Sequence, residues 1–182
     1  MAMPLGDIHS ILGVVPRKFT DKGAQHKLGF NLAETVDTLK LAGAKSVRCI
    51  DAVRSRGVED IVDLNERAGL PCYDLVIDGG TIEHCMNVGQ AIDNAWRAVA
   101  LGGHILHISP LTMINHGFFN FCPTLWPDFY SANGGQIVKM GAATTPKLVP
   151  VAIEAVKRFS AEANAVLYVL VRKLDYVPLV WP

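Results

Sequence analysis

YDLVIDGGTIEH, residues 73–84, predicts a buried strand that leads through a glycine-rich turn into a helix. In open α/β sheets, ligands bind at the carboxyl ends of the strands. Gly79 and Gly80 stand at such an end, where residues without side chains let the backbone come close to a ligand. Glu83 and His84 follow at once and are residue types that transfer protons. A site at this strand end is therefore the first expectation, and a tight strand-to-helix turn is the simpler explanation of the two glycines.

The remaining apolar patterns predict strands alternating with helices, which favours an α/β fold with a mostly parallel sheet. The predicted elements are a helix from Asn31 to Gly43, strands 46–51, 58–64 and 73–78, a helix over 88–101, a strand over 104–109, helices over 124–132 and 150–162, and strands 136–140 and 165–173.

Composition limits the class of protein. The chain has 182 residues, enough for a sizeable core, and we expect a single domain over 1–182 with a divergent segment at 1–29. Seventeen basic residues balance seventeen acidic ones, so no nucleic-acid partner is expected. The four cysteines form no C-x-x-C pair, and neither a signal peptide nor a membrane-spanning run is visible. These features predict a cytoplasmic protein with a small-molecule ligand.

Two further runs extend the pattern. ALGGHILHISP, residues 100–110, gives a helix stop, a tight turn and another strand, and NHGFFNFCP follows at residues 115–123. Together with residues 73–84, these runs resemble class I S-adenosylmethionine-dependent methyltransferases. The likeness covers roughly Phe30 to Lys173 and is to a short, divergent subgroup with GGTxEH and HGFxxFxP motifs. It implies a Rossmann-like sheet flanked by helices, in which the last strand is inserted antiparallel.

The resemblance also implies S-adenosylmethionine as the cofactor. Asp51, at a strand end, would accept hydrogen bonds from the ribose hydroxyls. Asp63 and Leu64 would meet the adenine. The methionine part would lie over a third set, Asp78, Gly79 and Gly80. From the residues alone, Asp51 can equally be a turn acid, and an Asx turn is the simpler explanation of Asn65.

The family's glycine-rich loop after the first strand is missing. Gly6, followed by Asp7, is the nearest substitute for it.

Methyl transfer from a sulfonium depends mainly on positioning, and a hydroxyl acceptor also needs a base. His84 and His116 are the candidate bases, and Glu83 would orient one of them or hold the substrate. For His84, the alternative is a helix N-terminal residue bonded to backbone.

No metal is expected. Some O-methyltransferases with a similar pattern bind a divalent ion through E-x-x-E-H, but here the first position is Gly80. His104 and His107 lie three apart on one predicted strand, and alternate residues share a face, so these two histidines cannot be ligands on the same face.

Residues 111–135 hold six of the fourteen aromatic side chains and are predicted to be a substrate lid or a subunit interface. With the apolar tail 175–182, they favour a homodimer or a protein partner.

Two functions stay open at this point. One is an active methyltransferase on a small hydroxylated or amino substrate, such as a sugar or secondary metabolite. The other is a degenerate methyltransferase-like fold that acts as a non-catalytic binding or assembly subunit, which the missing glycine loop favours. A nucleotide-binding Rossmann domain of another class is a weaker third reading, because G-x-G-x-x-G is absent.

Overall fold

The computed structural model describes residues 35–54, 59–144, 151–154 and 157–182. The chain forms two compact units, Met1–Val62 and Asp63–Pro182. Gly6 and the segment 1–29 lie outside the described residues, and the single-domain organisation stays a prediction. None of the helices in the described parts of the chain has the length and apolar composition that crossing a membrane requires.

The described part of the first unit contains one helix and two short strands. Helix α1 spans Thr35–Leu41, strand β1 spans Cys49–Asp51 and strand β2 spans Glu59–Ile61. The strands pair in parallel, with Cys49 opposite Glu59. Both strands are shorter than the sequence predicted, and β1 ends at Asp51 as expected.

The second unit is built on one five-stranded sheet. Its strands are β3 (Tyr73–Asp78), β4 (Val99–Pro110), β5 (Gly135–Thr144), β6 (Val151–Ala152) and β7 (Ala165–Lys173), in the order β3-β4-β7-β5-β6. Between β3 and β4 the chain forms a 3₁₀ helix, Ile82–His84, and helix α2, Val88–Arg97; helix α3, Leu125–Ala132, precedes β5.

Strand β7 lies inside the sheet. It runs antiparallel to β4 on one side and to β5 on the other, whereas β3 and β4 are parallel. Almost all its residues are buried, because a central strand is covered on both faces, and its apolar sequence AVLYVLVRK suits that place. The α/β class and the antiparallel C-terminal strand are confirmed. Parallel pairing accounts for a smaller share of this sheet than expected.

Two element predictions were wrong. The helix predicted over Val88–Leu101 ends at Arg97, because the residues from Val99 onward pair with β3, starting opposite Tyr73. The helix predicted over 150–162 is absent from the described part of that range. Val151 and Ala152 form β6 there, against Gly141 and Ala142 at the open edge of β5. Pairing with a sheet edge has overridden helical periodicity.

The aromatic segment 111–135 contributes much of the hydrophobic core. Four of its aromatic side chains are buried there: Phe121, Trp126, Phe129 and Tyr130. Phe118, in contrast, is 62% exposed. The role of this segment as a lid or interface stays a prediction, and Phe118 is its most exposed aromatic side chain among the described residues.

The C-terminal tail packs on α3 through one buried amide. The Asn133 side chain donates to the carbonyls of Phe129 (2.7 Å) and Val180 (2.8 Å) and accepts from the Val180 N–H at 2.8 Å. Trp181 then lies against Phe129, with ring centroids 5.2 Å apart.

Replacing Asn133 with alanine is expected to lower the free energy of unfolding by about 1–3 kcal/mol, because buried backbone groups lose their partners. Urea titration of Asn133→Ala against Ser131→Ala, an exposed position on the same helix, measures the effect. Equal stability of the two variants would show that the tail gains nothing from this amide.

Candidate functional site

The turn after β3 is organised by the carboxylate of Asp78. One oxygen accepts the backbone N–H groups of Thr81 and Ile82, both at 3.2 Å, and so caps the 3₁₀ helix that follows. The other oxygen lies 2.8 Å from Nδ1 of His107, which stands opposite Asp78 on β4. Asp78 was predicted to bind cofactor, and in the structure it is buried with both oxygens bonded inside the protein.

His107 continues this network into the core. Its Nε2 lies 2.5 Å from the hydroxyl of Tyr130, and the Trp126 ring stacks on the imidazole at 4.2 Å. A neutral imidazole satisfies both contacts, because Nδ1 can donate to the Asp78 carboxylate while Nε2 accepts from Tyr130. Burial raises the pKa of Tyr130 well above its usual value, with the charge of Asp78 acting in the same direction. The hydroxyl therefore keeps its proton.

Sequence reasoning gave His107 no functional role. The signal that pairs it with Asp78 is the β3–β4 register, which the sequence alone does not reveal.

The two glycines of the turn differ. A Cβ on Gly79 would meet no atom of the described residues within 4 Å, so the backbone is open toward them on that side. Gly80 has φ +86°, and a Cβ on it would lie 3.2 Å from Oε1 of Glu83. Gly80 thus forms the turn, whereas Gly79 offers an open backbone surface to a ligand.

Glu83 is an unusually placed acid. Its side chain is 0% exposed, and neither oxygen receives a hydrogen bond from another residue in the described parts of the chain. Burial raises the pKa of Glu83 to about 7, and the charge of Asp78 acts in the same direction, while the N–H of Glu83 itself opposes the shift. Buried carboxylates without donors are rare in folded proteins.

Two histidines face this carboxylate. Nε2 of His116 lies 3.4 Å from Oε1 of Glu83, and Nε2 of His84 lies 3.9 Å from the same atom. The two rings are 5.4 Å apart in an edge arrangement. Partial burial lowers the pKa of His116, and the neighbouring His84 acts in the same direction. All three predicted catalytic residues therefore form one cluster.

An unusual loop brings His116 to the cluster. Asn115 and Gly117, on either side of it, have φ values of +62° and +73°. The N–H of Phe118 donates to the carbonyl of Glu83 at 2.8 Å. The loop is thus bonded directly to the 3₁₀ helix.

The segment predicted to contact adenine, which begins at Asp63, lies beside the N-terminus of helix α2. Asp63 accepts from the backbone and side-chain N–H groups of Asn65, both at 2.8 Å, and these bonds lower the pKa of Asp63. This is the Asx turn that the sequence favours as the simpler explanation of Asn65. Asn65 in turn bonds to Asn87, the N-cap of α2, through two contacts of 2.9 and 3.1 Å. Leu64 is half-buried against the core.

Asp51 belongs to the first unit, at the end of β1. Its Oδ1 accepts the N–H of Val53 at 3.1 Å, which is the turn arrangement that the sequence left open. The other described candidates all belong to the second unit. The turn after β3 and the neighbouring cluster contain Asp78, Gly79, Gly80, Glu83, His84 and His116. Asp63 and Leu64 belong to a separate segment, which is bonded to the start of α2 through Asn65 and Asn87.

Comparison with known proteins gives little more. No protein-family model and no curated protein sequence matches the chain. Among solved structures, the crystal structure of TehB from Haemophilus influenzae matches with a TM-score of 0.42 and 16% sequence identity. The match covers 63% of this chain and spans 40% of the length of that one. A likeness of this size is a finding about shape and carries no argument about function.

Proposed function

We propose that this chain is an S-adenosylmethionine-dependent methyltransferase that acts on a small hydroxylated or amino substrate. The observation that carries the proposal is the end of β3, where the open backbone of Gly79 stands beside the cluster of Glu83, His84 and His116. A parallel strand that ends in a glycine turn is where α/β sheets bind ligands, and the cluster holds groups able to take up a proton.

The strand order supports the same proposal. The resemblance of residues 73–123 to class I methyltransferases implies a last strand inserted antiparallel, and β7 lies in that way between β4 and β5. Topology alone does not define an activity, so the site residues have to supply the functional argument.

Gly79 and Gly80 would hold the methionine part of the cofactor, and Asp63 and Leu64 would hold the adenine. Gly6 and Asp51 remain predictions from the sequence. Asp78 acts indirectly, because it fixes the turn that presents both glycines.

The cofactor supplies a methyl group that its sulfonium already activates. The protein then has to hold the acceptor in line and accept its proton. His84 and His116 offer ring nitrogens on the accessible side of the cluster, where their side chains are 52% and 32% exposed. A ring nitrogen of either histidine would accept the proton that the acceptor oxygen or nitrogen releases on methylation.

Cofactor binding tests the proposal. Calorimetric titration with S-adenosylmethionine and S-adenosylhomocysteine is expected to give micromolar dissociation constants. In Gly79→Val, a side chain occupies the open surface, and binding should weaken about tenfold or more, since one misfitting side chain costs about 1–3 kcal/mol.

Gly69→Val is the matched control, because a Cβ on Gly69 likewise meets nothing within 4 Å in the part of the chain that the structure describes. If both variants bind equally well, the cofactor residues are misassigned. If the folded wild-type protein binds neither ligand at millimolar concentration, the non-catalytic binding or assembly subunit replaces the methyltransferase.

A further inference from the structure

We propose that Glu83, His84 and His116 form a binding site for one divalent transition-metal ion, of which Zn²⁺ is the best match. This site goes beyond methyl transfer, because metal binding does not require the cofactor. It also differs from the sequence expectation, which compared the chain with the motif E-x-x-E-H and found Gly80 at its first position.

The geometry is close to that of a metal site. One ligand atom from each of the three residues lies within 4.8 Å of the other two. Tetrahedral zinc with bonds of about 2.0–2.2 Å places its ligand atoms roughly 3.3 Å apart. The Glu83–His116 distance of 3.4 Å already meets that value, and the Glu83–His84 distance of 3.9 Å exceeds it slightly. The His84 side chain is 52% exposed, so it is not enclosed by the core.

The buried carboxylate supplies independent support. Glu83 is fully buried, and its oxygens have no hydrogen bond from any other described residue. A buried charge of this kind is costly unless it is paired or coordinates a metal. A cation held between the two imidazoles would be that missing partner.

The backbone around His116 points the same way. Asn115 and Gly117, on either side of His116, both have positive φ. The ring of His116 between them lies next to the Glu83 carboxylate. Non-glycine residues in this region carry strain, which concentrates at functional sites. The hydrogen bond from Phe118 to the Glu83 carbonyl then fixes the loop in place.

The donor set selects the class of metal. Two imidazole nitrogens and one carboxylate oxygen suit zinc and other transition metals, whereas magnesium and calcium prefer oxygen alone. Three protein ligands leave a coordination position for water or substrate, as in catalytic rather than structural zinc sites. The exposed side of His84 and His116 gives access to that position.

The consequence of the metal site for catalysis rests on the proposed function. An acceptor hydroxyl bound to the metal would lose its proton more easily, because a metal ion lowers the pKa of a bound oxygen. The histidines would then hold the ion, and the proton would pass to solvent on the exposed side of the cluster.

The test uses tag-free protein stripped with EDTA and dialysed, without cofactor. Zn²⁺ is titrated by calorimetry, and Co²⁺ is followed by its visible absorption, which reports coordination directly. We expect one ion per chain. Glu83→Gln, His84→Ala and His116→Ala should each weaken binding by more than about 100-fold, beyond the losses that residues orienting a ligand produce. His104→Ala, a histidine on β4 outside the cluster, should bind like the wild type.

Circular dichroism checks the fold of each variant, and the exposed position of His84 makes His84→Ala the variant least able to disturb it. Absence of binding at millimolar metal overturns the proposal, and so does binding that all three variants leave unchanged. Metal binding without S-adenosylmethionine binding would refute the proposed methyltransferase and leave the metal site standing. S-adenosylmethionine binding without metal binding would refute the metal site alone.

Discussion

Gly117→Ala is expected to lower the free energy of unfolding by about 2–4 kcal/mol and to displace His116 from Glu83. Gly117 has φ +73°, a conformation that L-residues with a side chain avoid. An added Cβ would also lie 2.8 Å from Cγ and 3.0 Å from the carbonyl oxygen of Glu83. Glu83 is buried and cannot move aside, so the loop has to shift. Urea titration measures the first effect, and metal titration the second.

Gly102→Ala separates the cost of the positive φ from the cost of the steric clash. Gly102 has φ +78°, but a Cβ there would meet none of the described atoms within 4 Å, so this variant carries the backbone cost without the clash. If the two variants lose the same stability and the Gly117→Ala protein still binds metal like the wild type, the close packing of the loop on Glu83 is refuted.

Asp78→Ala is expected to lower the free energy of unfolding by about 3–5 kcal/mol, since it removes the acceptor from three donors at once, two of them in buried hydrogen bonds. The N–H groups of Thr81 and Ile82 lose their acceptor, and the imidazole of His107 loses the carboxylate that orients it. The glycine turn should loosen as a result, and S-adenosylmethionine binding should weaken together with stability.

A graded series tests this explanation. Asp74→Ala changes an exposed acid on the same strand and should be nearly neutral. Tyr130→Phe leaves only Nε2 of His107 unpaired, so its cost should fall between the other two. If Asp78→Ala is no more harmful than Asp74→Ala, the hydrogen-bond network does not hold the turn.

The sequence was most informative where apolar runs are long and unambiguous. The bounds of β3 and β7 agree with the predicted strands Tyr73–Asp78 and Ala165–Lys173, because both runs are apolar and end at charged residues. The glycine turn and the acid and histidine beyond it were also visible, since local turn chemistry is written in neighbouring residues.

What could not be predicted depends on contacts between distant residues. His107 meets Asp78 only through the register of two parallel strands, and His116 reaches Glu83 through a loop with two positive φ values. His116 was missing from the sequence-based expectation about a metal for the same reason, and the expectation of no metal stays a prediction. The residues at 150–162 show helical periodicity, yet Val151 and Ala152 pair with the open edge of β5. Each difference reflects tertiary pairing that no local pattern encodes.

The place of β7 has a consequence for the growing polypeptide. Its two neighbours, β4 and β5, both leave the ribosome before it and do not pair with each other. Until Lys173 has emerged, the nascent chain therefore exposes two long strands that lack their common partner, and unpaired strands are templates for association with other chains. The middle strand of the sheet is synthesised last, so the period before β7 emerges is the one in which β4 and β5 are most exposed to association with other chains.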